Sequence, residues 1–367
     1  MYTANWTGTE VGRGTRVCWV WQTWQQAMQQ ALYGPGGFYV RGERPAAHFR
    51  TSVHTSARYA AAVLALLHQV DAALGQPARL DVVDVGAGQG ELLTQLLAAA
   101  APPLAGRIVP HAAEVAPRPP GLDERIRWAP ALPSGITGLV IASEWLDNVP
   151  LDVAELSLDG PRLVLVDAAT GVERGGPAVA PADLAWLRRW WPLRHLGDRA
   201  ELGRPRCAAW AEVISRLDRG VALAADYGHR RASRPATGTL AGFRDGRPVR
   251  PIPDGSRDIT AHVAVDACAA AGVAAGASAT LLTTQRAALR ALGLTGRRPA
   301  LRQADRDPAG YLAALRQAAE EAELTDPAGL GGFSWLVQAV GTPLPGSLAS
   351  LDRPVGGVRQ KSLELRA

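Results

Sequence analysis

Apolar residues recur at helical spacing through Tyr59, Val63, Leu66, Leu67, Val70 and Leu74, which predicts a helix capped by Ser56 and stopped by Gly75. Upstream, after a loose first dozen residues, 21–32 predicts a shorter helix that ends at Gly34-Pro35-Gly36-Gly37. Residues 79–85 are a β-branched run broken by Gly86-Ala87-Gly88-Gln89-Gly90, and 91–100 are strong helix formers up to Pro102-Pro103. Further strands over 107–115 and 138–143 end in polar residues, the pattern of buried parallel strands alternating with helices, so the fold class is α/β.

The alternation at 153–166 around Asp159-Gly160 predicts an inserted β-hairpin with a type I′ turn. Helices over 181–191 and 205–217 then lead to a buried strand, 220–226, which ends at Asp226-Tyr227-Gly228. Residues 229–257, rich in Arg, Gly and Pro, predict a disordered link or a functional loop over a site. Helices at 263–271 and 309–322 and a last strand at 333–340 follow, with a ragged end beyond Gly341. The organisation expected is an N-terminal helical cap (1–75), a core (76–150), an insertion of hairpin and helices (151–219), the rest of the core with its long loop (220–345) and a flexible tail (346–367).

Composition narrows the class. With 47% hydrophobic and 20% charged residues, the chain can bury a large core and is unlike a disordered protein. Arginine supplies every basic residue except Lys361, which with the abundant Ala, Gly and Pro points to a GC-rich bacterial genome. The +5 net charge is spread among Asp and Glu, so it describes a solvated surface and no nucleic-acid partner is expected. No apolar run approaches the length of a membrane span and the first 16 residues lack a signal-peptide core, so a cytoplasmic location is expected. Cys18, Cys207 and Cys268 stand far apart without a CxxC or Cys/His cluster, so free thiols and no metal site are expected.

The run Asp84 to Gly90 sits at the carboxyl end of a strand, where open α/β sheets bind ligands. A dinucleotide turn needs GxGxxG, but Glu91 occupies the third glycine position and would oppose a pyrophosphate. The GxGxG run Gly86, Ala87, Gly88, Gly90, with Asp84 two residues before it, instead has the pattern of class I S-adenosylmethionine (SAM) methyltransferases. Their cofactor is cationic and suits an anionic lip. Glu114, ending the next strand, can accept hydrogen bonds from ribose hydroxyls. After the third strand come Ser143, Glu144 and Asp147, and the two acids are candidates to align an acceptor and take its proton. Asp147 can equally cap the following turn.

Co-linear segments resemble the MidA-like SAM-dependent methyltransferases, a family that includes the mitochondrial complex I assembly-factor methyltransferase. They are Tyr33-Gly34-Pro35-Gly36-Gly37-Phe38-Tyr39 with His48-Phe49-Arg50-Thr51-Ser52, the Asp84 to Gly90 turn, Ile141 to Pro150, Asp226-Tyr227-Gly228, Gly238-Thr239-Leu240 and Asp258 to Val263. The resemblance implies a class I, Rossmann-like seven-stranded sheet with an inserted hairpin and helices forming an acceptor cleft. It implies SAM held by the glycine turn and Glu114, with Ser143, Thr51 and Ser52 nearby, and an acceptor beside Glu144 and Asp147.

Two departures bear on the acceptor. Val53-His54 replaces the family's Pro-Glu, and His48 replaces an Asp, so carboxylates that would hold a guanidinium are missing from these positions. That favours a small molecule methylated on oxygen, with His54 as base. The alternatives are a protein arginine methyltransferase and a non-catalytic SAM-binding assembly factor, and the sequence allows a homodimer. His262 is expected at a helix start capped by Asp258 or Thr260, and Tyr227 is expected against the cofactor or acceptor.

Overall fold

A computed structural model describes residues 6–10, 17–40 and 52–352. Seven strands form the main sheet in the order Ala279–Thr284, Ser334–Val340, Leu217–Asp226, Ile136–Ser143, Leu80–Val85, Ile108–Ala113, Arg127–Ala129. Ser334–Val340 runs antiparallel to both its neighbours, and every other pairing is parallel. This is the mixed seven-stranded sheet of a class I methyltransferase.

Successive residues of the central strands enter opposite cores, as the pleat requires. Val82, Leu139 and Leu223 meet the Ala57–Ala73, Glu91–Ala99 and Gln285–Ala291 helices on one face. Val83, Val140 and Ala222 meet Arg204–Ser215 and Val265–Ala274 on the other. Ser56 caps the Ala57–Ala73 helix through the Arg58 N–H, as expected. At the amino end of the sheet, a Cβ on Gly138 would overlap the Asp81 carbonyl and one on Gly220 would overlap that of Gly138.

A second, antiparallel sheet centres on Gly160–Asp167, which pairs with Val17–Thr23, Val153–Ser157 and Glu173–Ala178. Trp6–Glu10 and Arg199–Glu201 extend it. The inserted hairpin is therefore part of a sheet that recruits the N-terminal residues, which were expected to be loose. Residues 21–23, expected to begin a helix, end a strand instead. Thr23 caps the Trp24–Tyr33 helix in a capping box with Gln26.

Local corrections have physical causes. Asp159-Gly160 does not make a type I′ turn: Gly160 alone takes a positive φ, and it pairs directly with Ser157. Asp245 (φ 51°) and Gly246 (φ 73°) do form that conformation, joining Ala241–Arg244 to Arg247–Val249 inside the expected loop. Asp258–Thr260 adds a third strand there, so neither Asp258 nor Thr260 caps a helix; the next helix starts at Val265 without a side-chain cap. Beyond Gly341, Gly346–Ala349 is helical and Leu348 fully buried.

Gly138→Ala is expected to lower stability by more than about 3 kcal/mol, because backbone blocks the new methyl group. Gly160→Ala, with open space around it, costs only the strain of its positive φ, about 1–2 kcal/mol. Thermal unfolding followed by circular dichroism separates the two.

Candidate active site

The order of the main sheet reverses between Leu80–Val85 and Ile136–Ser143, so the loops leaving these two strands diverge and open a crevice. A cavity of about 550 Å³ fills it, within the usual range of small-ligand sites. Among its lining residues are Asp84, Gly86, Ala87, Gly88, Glu114, Ser143, Glu144 and Asp147, so one space gathers the carboxyl ends of three strands.

On one side is the glycine turn. Gly86, Gly88 and Gly90 all have positive φ, which lets the chain reverse without strain. A Cβ on Gly86 would stand 2.9 Å from Trp145 Cδ1, and one on Gly90 3.0 Å from Leu122 Cδ1. These two glycines therefore serve packing, and Gly90 does not line the cavity. Gly88 differs: an added Cβ would meet nothing nearer than Glu91 Oε2 at 3.6 Å, so the space beside it is open to a ligand. Glu114 holds the turn by accepting the Gly88 N–H (3.0 Å) and the Ala116 N–H (2.9 Å). Each oxygen keeps acceptor capacity. Burial, with Glu91 and Glu114 nearby, pushes the Asp84 carboxyl up to about 8.

Across the cavity the acids are denser. Glu144 follows its strand with φ 54°, donates its N–H to the Ala225 carbonyl (2.8 Å) and accepts the Ser52 N–H on Oε1 (2.9 Å). Asp147 accepts the Thr260 hydroxyl on Oδ2 (2.7 Å) and donates its N–H to Asp226 (3.2 Å), so its side chain is not a helix cap. Glu144 Oε2, Asp147 Oδ1 and Asp226 Oδ1 are buried without a partner among the described residues. Asp258 accepts from Tyr39 (2.9 Å) and Asn148 (3.1 Å), while Tyr33 stacks on Tyr39. Burial raises all four acids, Glu144 to about 8 and Asp258 to about 7.

Arg206, from the insertion, is fully buried beside them. It donates to the carbonyls of Val149 (3.1 Å), Ala261 (2.6 Å), His262 (3.2 Å) and Asp147. It thus ties the loop after Ile136–Ser143 to the Asp258–Val263 piece. The sequence offers no signal for this role. Tyr33, Tyr39, Asp226 and Asp258 lie in quoted segments, but their hydrogen bonds connect chain positions too distant to read.

Other expected residues fall less directly. Tyr227 lines the cavity and stacks with His262, which is exposed. The Ser52 hydroxyl is hydrogen-bonded to Gln285, and its N–H donates to Glu144. Ser143 is hydrogen-bonded to Tyr59 (2.7 Å). His48, Thr51 and the His54 side chain lie outside the described residues.

The lining fits a cationic, phosphate-free ligand: an open space at Gly88, an acidic lip and unpartnered carboxylate oxygens. A family described as "Putative S-adenosyl-L-methionine-dependent methyltransferase" matches residues 103–283. A COG1565 superfamily member from Burkholderia thailandensis, solved with S-adenosyl-homocysteine, is 28% identical over 91% of both chains, with a TM-score of 0.74. A native structure of a COG1565 superfamily protein from the same organism is 27% identical over 90% of both, with a TM-score of 0.73. The chain is a SAM-dependent methyltransferase, similar to these COG1565 superfamily proteins. No curated protein matches it significantly. Among the described residues, no helix is long and apolar enough to cross a membrane.

The buried acids make a pH prediction for this methyltransferase. Asp84 titrates near 8 when folded and near 4 when unfolded, so above pH 4 the folded state holds the extra proton and stability falls as pH rises, levelling above 8. Asp84→Asn removes that contribution. Without ligand it should gain at least about 1 kcal/mol over the parent at pH 9 and nothing at pH 4, read from denaturant midpoints.

Proposed function

We propose that the methyl acceptor is a basic nitrogen, an amine or guanidine, held by Glu144 and Asp147. The observation that carries this reading is the pair of buried, unpartnered oxygens, Glu144 Oε2 and Asp147 Oδ1, on a wall that also holds Asp258 and is backed by Asp226. A buried acid without a partner costs stability unless a ligand completes it. A cation does so and draws the carboxyl protons off. The expectation of an oxygen acceptor rested on missing carboxylates near residues 48–54; Glu144, Asp147 and Asp258 supply that charge from other segments.

In this reading Asp84 and the Gly86 to Gly88 backbone hold the amino-acid end of SAM, Glu114 accepts its ribose hydroxyls, and Trp145 closes the turn. Bound SAM supplies an electrophilic methyl group on a sulfonium. Glu144 accepts the N–H proton of the acceptor, a role suited to a carboxyl that titrates near 8. Asp147, fixed by Thr260 and Asp226, orients the second N–H. The insertion, 151–219, shapes the acceptor cleft through Arg206. The likeness of the quoted segments supports a MidA-like kinship within the superfamily.

The test is titration of the S-adenosyl-homocysteine complex with amines, guanidines and their neutral hydroxyl isosteres, then labelled methyl transfer to those that bind. Cationic probes should bind at least about tenfold more tightly, or about 1.4 kcal/mol. Equal binding refutes the reading.

Two variants divide the site. Gly88→Val should abolish SAM binding by filling the space beside the turn; unchanged affinity would show that the cofactor lies elsewhere. Glu144→Gln should keep SAM affinity within about twofold while slowing transfer by a factor of about 10² to 10⁴, the usual contribution of a general base.

A further inference from the structure

Two cysteines 61 positions apart meet outside this cavity. Cys207 stands in the first turns of the Arg204–Ser215 helix and Cys268 in the first turns of Val265–Ala274, and these helices pack together. Their thiols are within hydrogen-bonding reach of each other. Cys268 is buried in the core under the sheet, and Cys207 is partly exposed.

The surroundings make the pair asymmetric. The Cys268 thiol and the Trp186 side chain lower the pKa of Cys207 against burial and the Asp266–Arg234 ion pair, and a position near a helix N-terminus also favours a thiolate. Contact with Cys207 and burial hold Cys268 protonated. A nucleophilic, reachable thiol thus adjoins a protected resolving one. The adjacent residue in the chain is Arg206, whose guanidinium holds the carbonyls of Asp147, Val149, Ala261 and His262.

We propose that Cys207 and Cys268 are an oxidation site for hydrogen peroxide, closing to a disulfide that shifts Arg206 and loosens the two site segments it holds. The Cys207 thiolate attacks one peroxide oxygen: an S–O bond forms, the O–O bond breaks, and the departing hydroxide takes a proton to become water. Cys207 is then a sulfenic acid. Cys268 gives up its proton and attacks that sulfur, so that the S–S bond forms, the S–O bond breaks and a second water leaves. Two thiols are oxidised and one peroxide is reduced. A disulfide needs its sulfurs about 2.05 Å apart, closer than any hydrogen-bonded thiols, so closure draws the first turns of the two helices together.

The experiment treats the full-length protein and its Cys18→Ser, Cys207→Ser and Cys268→Ser variants with hydrogen peroxide. Peptide mapping without reduction and hydrogen exchange of segments 144–150 and 258–263 follow, before and after dithiothreitol. The parent and Cys18→Ser should form the Cys207–Cys268 link, exchange in both segments should rise at least about threefold, and dithiothreitol should reverse both changes. Neither remaining variant should show the rise. Thiols that stay free at a peroxide dose that oxidises glutathione would overturn the site. A link that leaves exchange unchanged would overturn its coupling to Arg206. Neither readout uses methyl transfer, so both stand apart from the identity of the acceptor.

Discussion

Arg206 is the group on which the acidic side of the site depends. Burying four carboxyls together beside one cavity is tolerable only if they stay neutral or if a cation lies among them. Arg206 is that cation, yet its donors go to backbone carbonyls and not to the acids. It lowers the cost of ionising Asp147 and Asp226 through space while leaving Oδ1 of each unclaimed. A salt bridge would have consumed those oxygens. The arrangement therefore fixes the loops rigidly and keeps the acids free for a ligand, two requirements that one guanidinium meets because its five N–H donors form a planar fork.

The sheet makes that placement possible by dividing its two ends. At the amino end, Gly138 and Gly220 bring three strands too close for any side chain, and Asp81 ties them by accepting the Thr137 N–H and hydrogen-bonding His111. At the carboxyl end the chain leaves the strands as tight turns bearing acids. The inserted sheet packs its own helix, Trp24–Tyr33, so that Tyr33 and Tyr39 reach the same cavity from outside the main core. Chain far from the central strands thereby closes the wall opposite the glycine turn.

Much of this was legible in the sequence, and the limits have causes. Leu80–Val85, Ile136–Ser143 and Leu217–Asp226 are largely apolar on both faces, as strands buried on both sides require. The polar ends of these strands and of Ile108–Ala113 point to Asp84, Glu114, Glu144 and Asp147 because ligands meet α/β sheets there. Ala279–Thr284 was not readable: only Leu281 is fully buried, so the edge strand lacks the pattern. The end of the Val17–Thr23 strand, 21–23, reads locally as the start of a helix, and its partner Gly160–Asp167 lies more than 130 residues away. Arg206 is silent for a related reason. Its role comes from carbonyl oxygens, which every residue carries, so no side-chain pattern announces it.

The conformation of Glu144 links the two faces of the argument. Apart from Gln76 and Asp245, it is the sole non-glycine with positive φ among the described residues. Asp245 belongs to a residue type that tolerates this region and sits in a hairpin turn. Glutamate has no such preference, so the strain, of order 1–3 kcal/mol, must be met by the Ala225 carbonyl and the Ser52 N–H. Glycine or asparagine would relieve it at once but would remove the carboxylate. A strained residue at the end of a central strand, with one oxygen held and the other buried without a partner beside the cavity, is what local stability alone would not select. The chemistry of the site accounts for it.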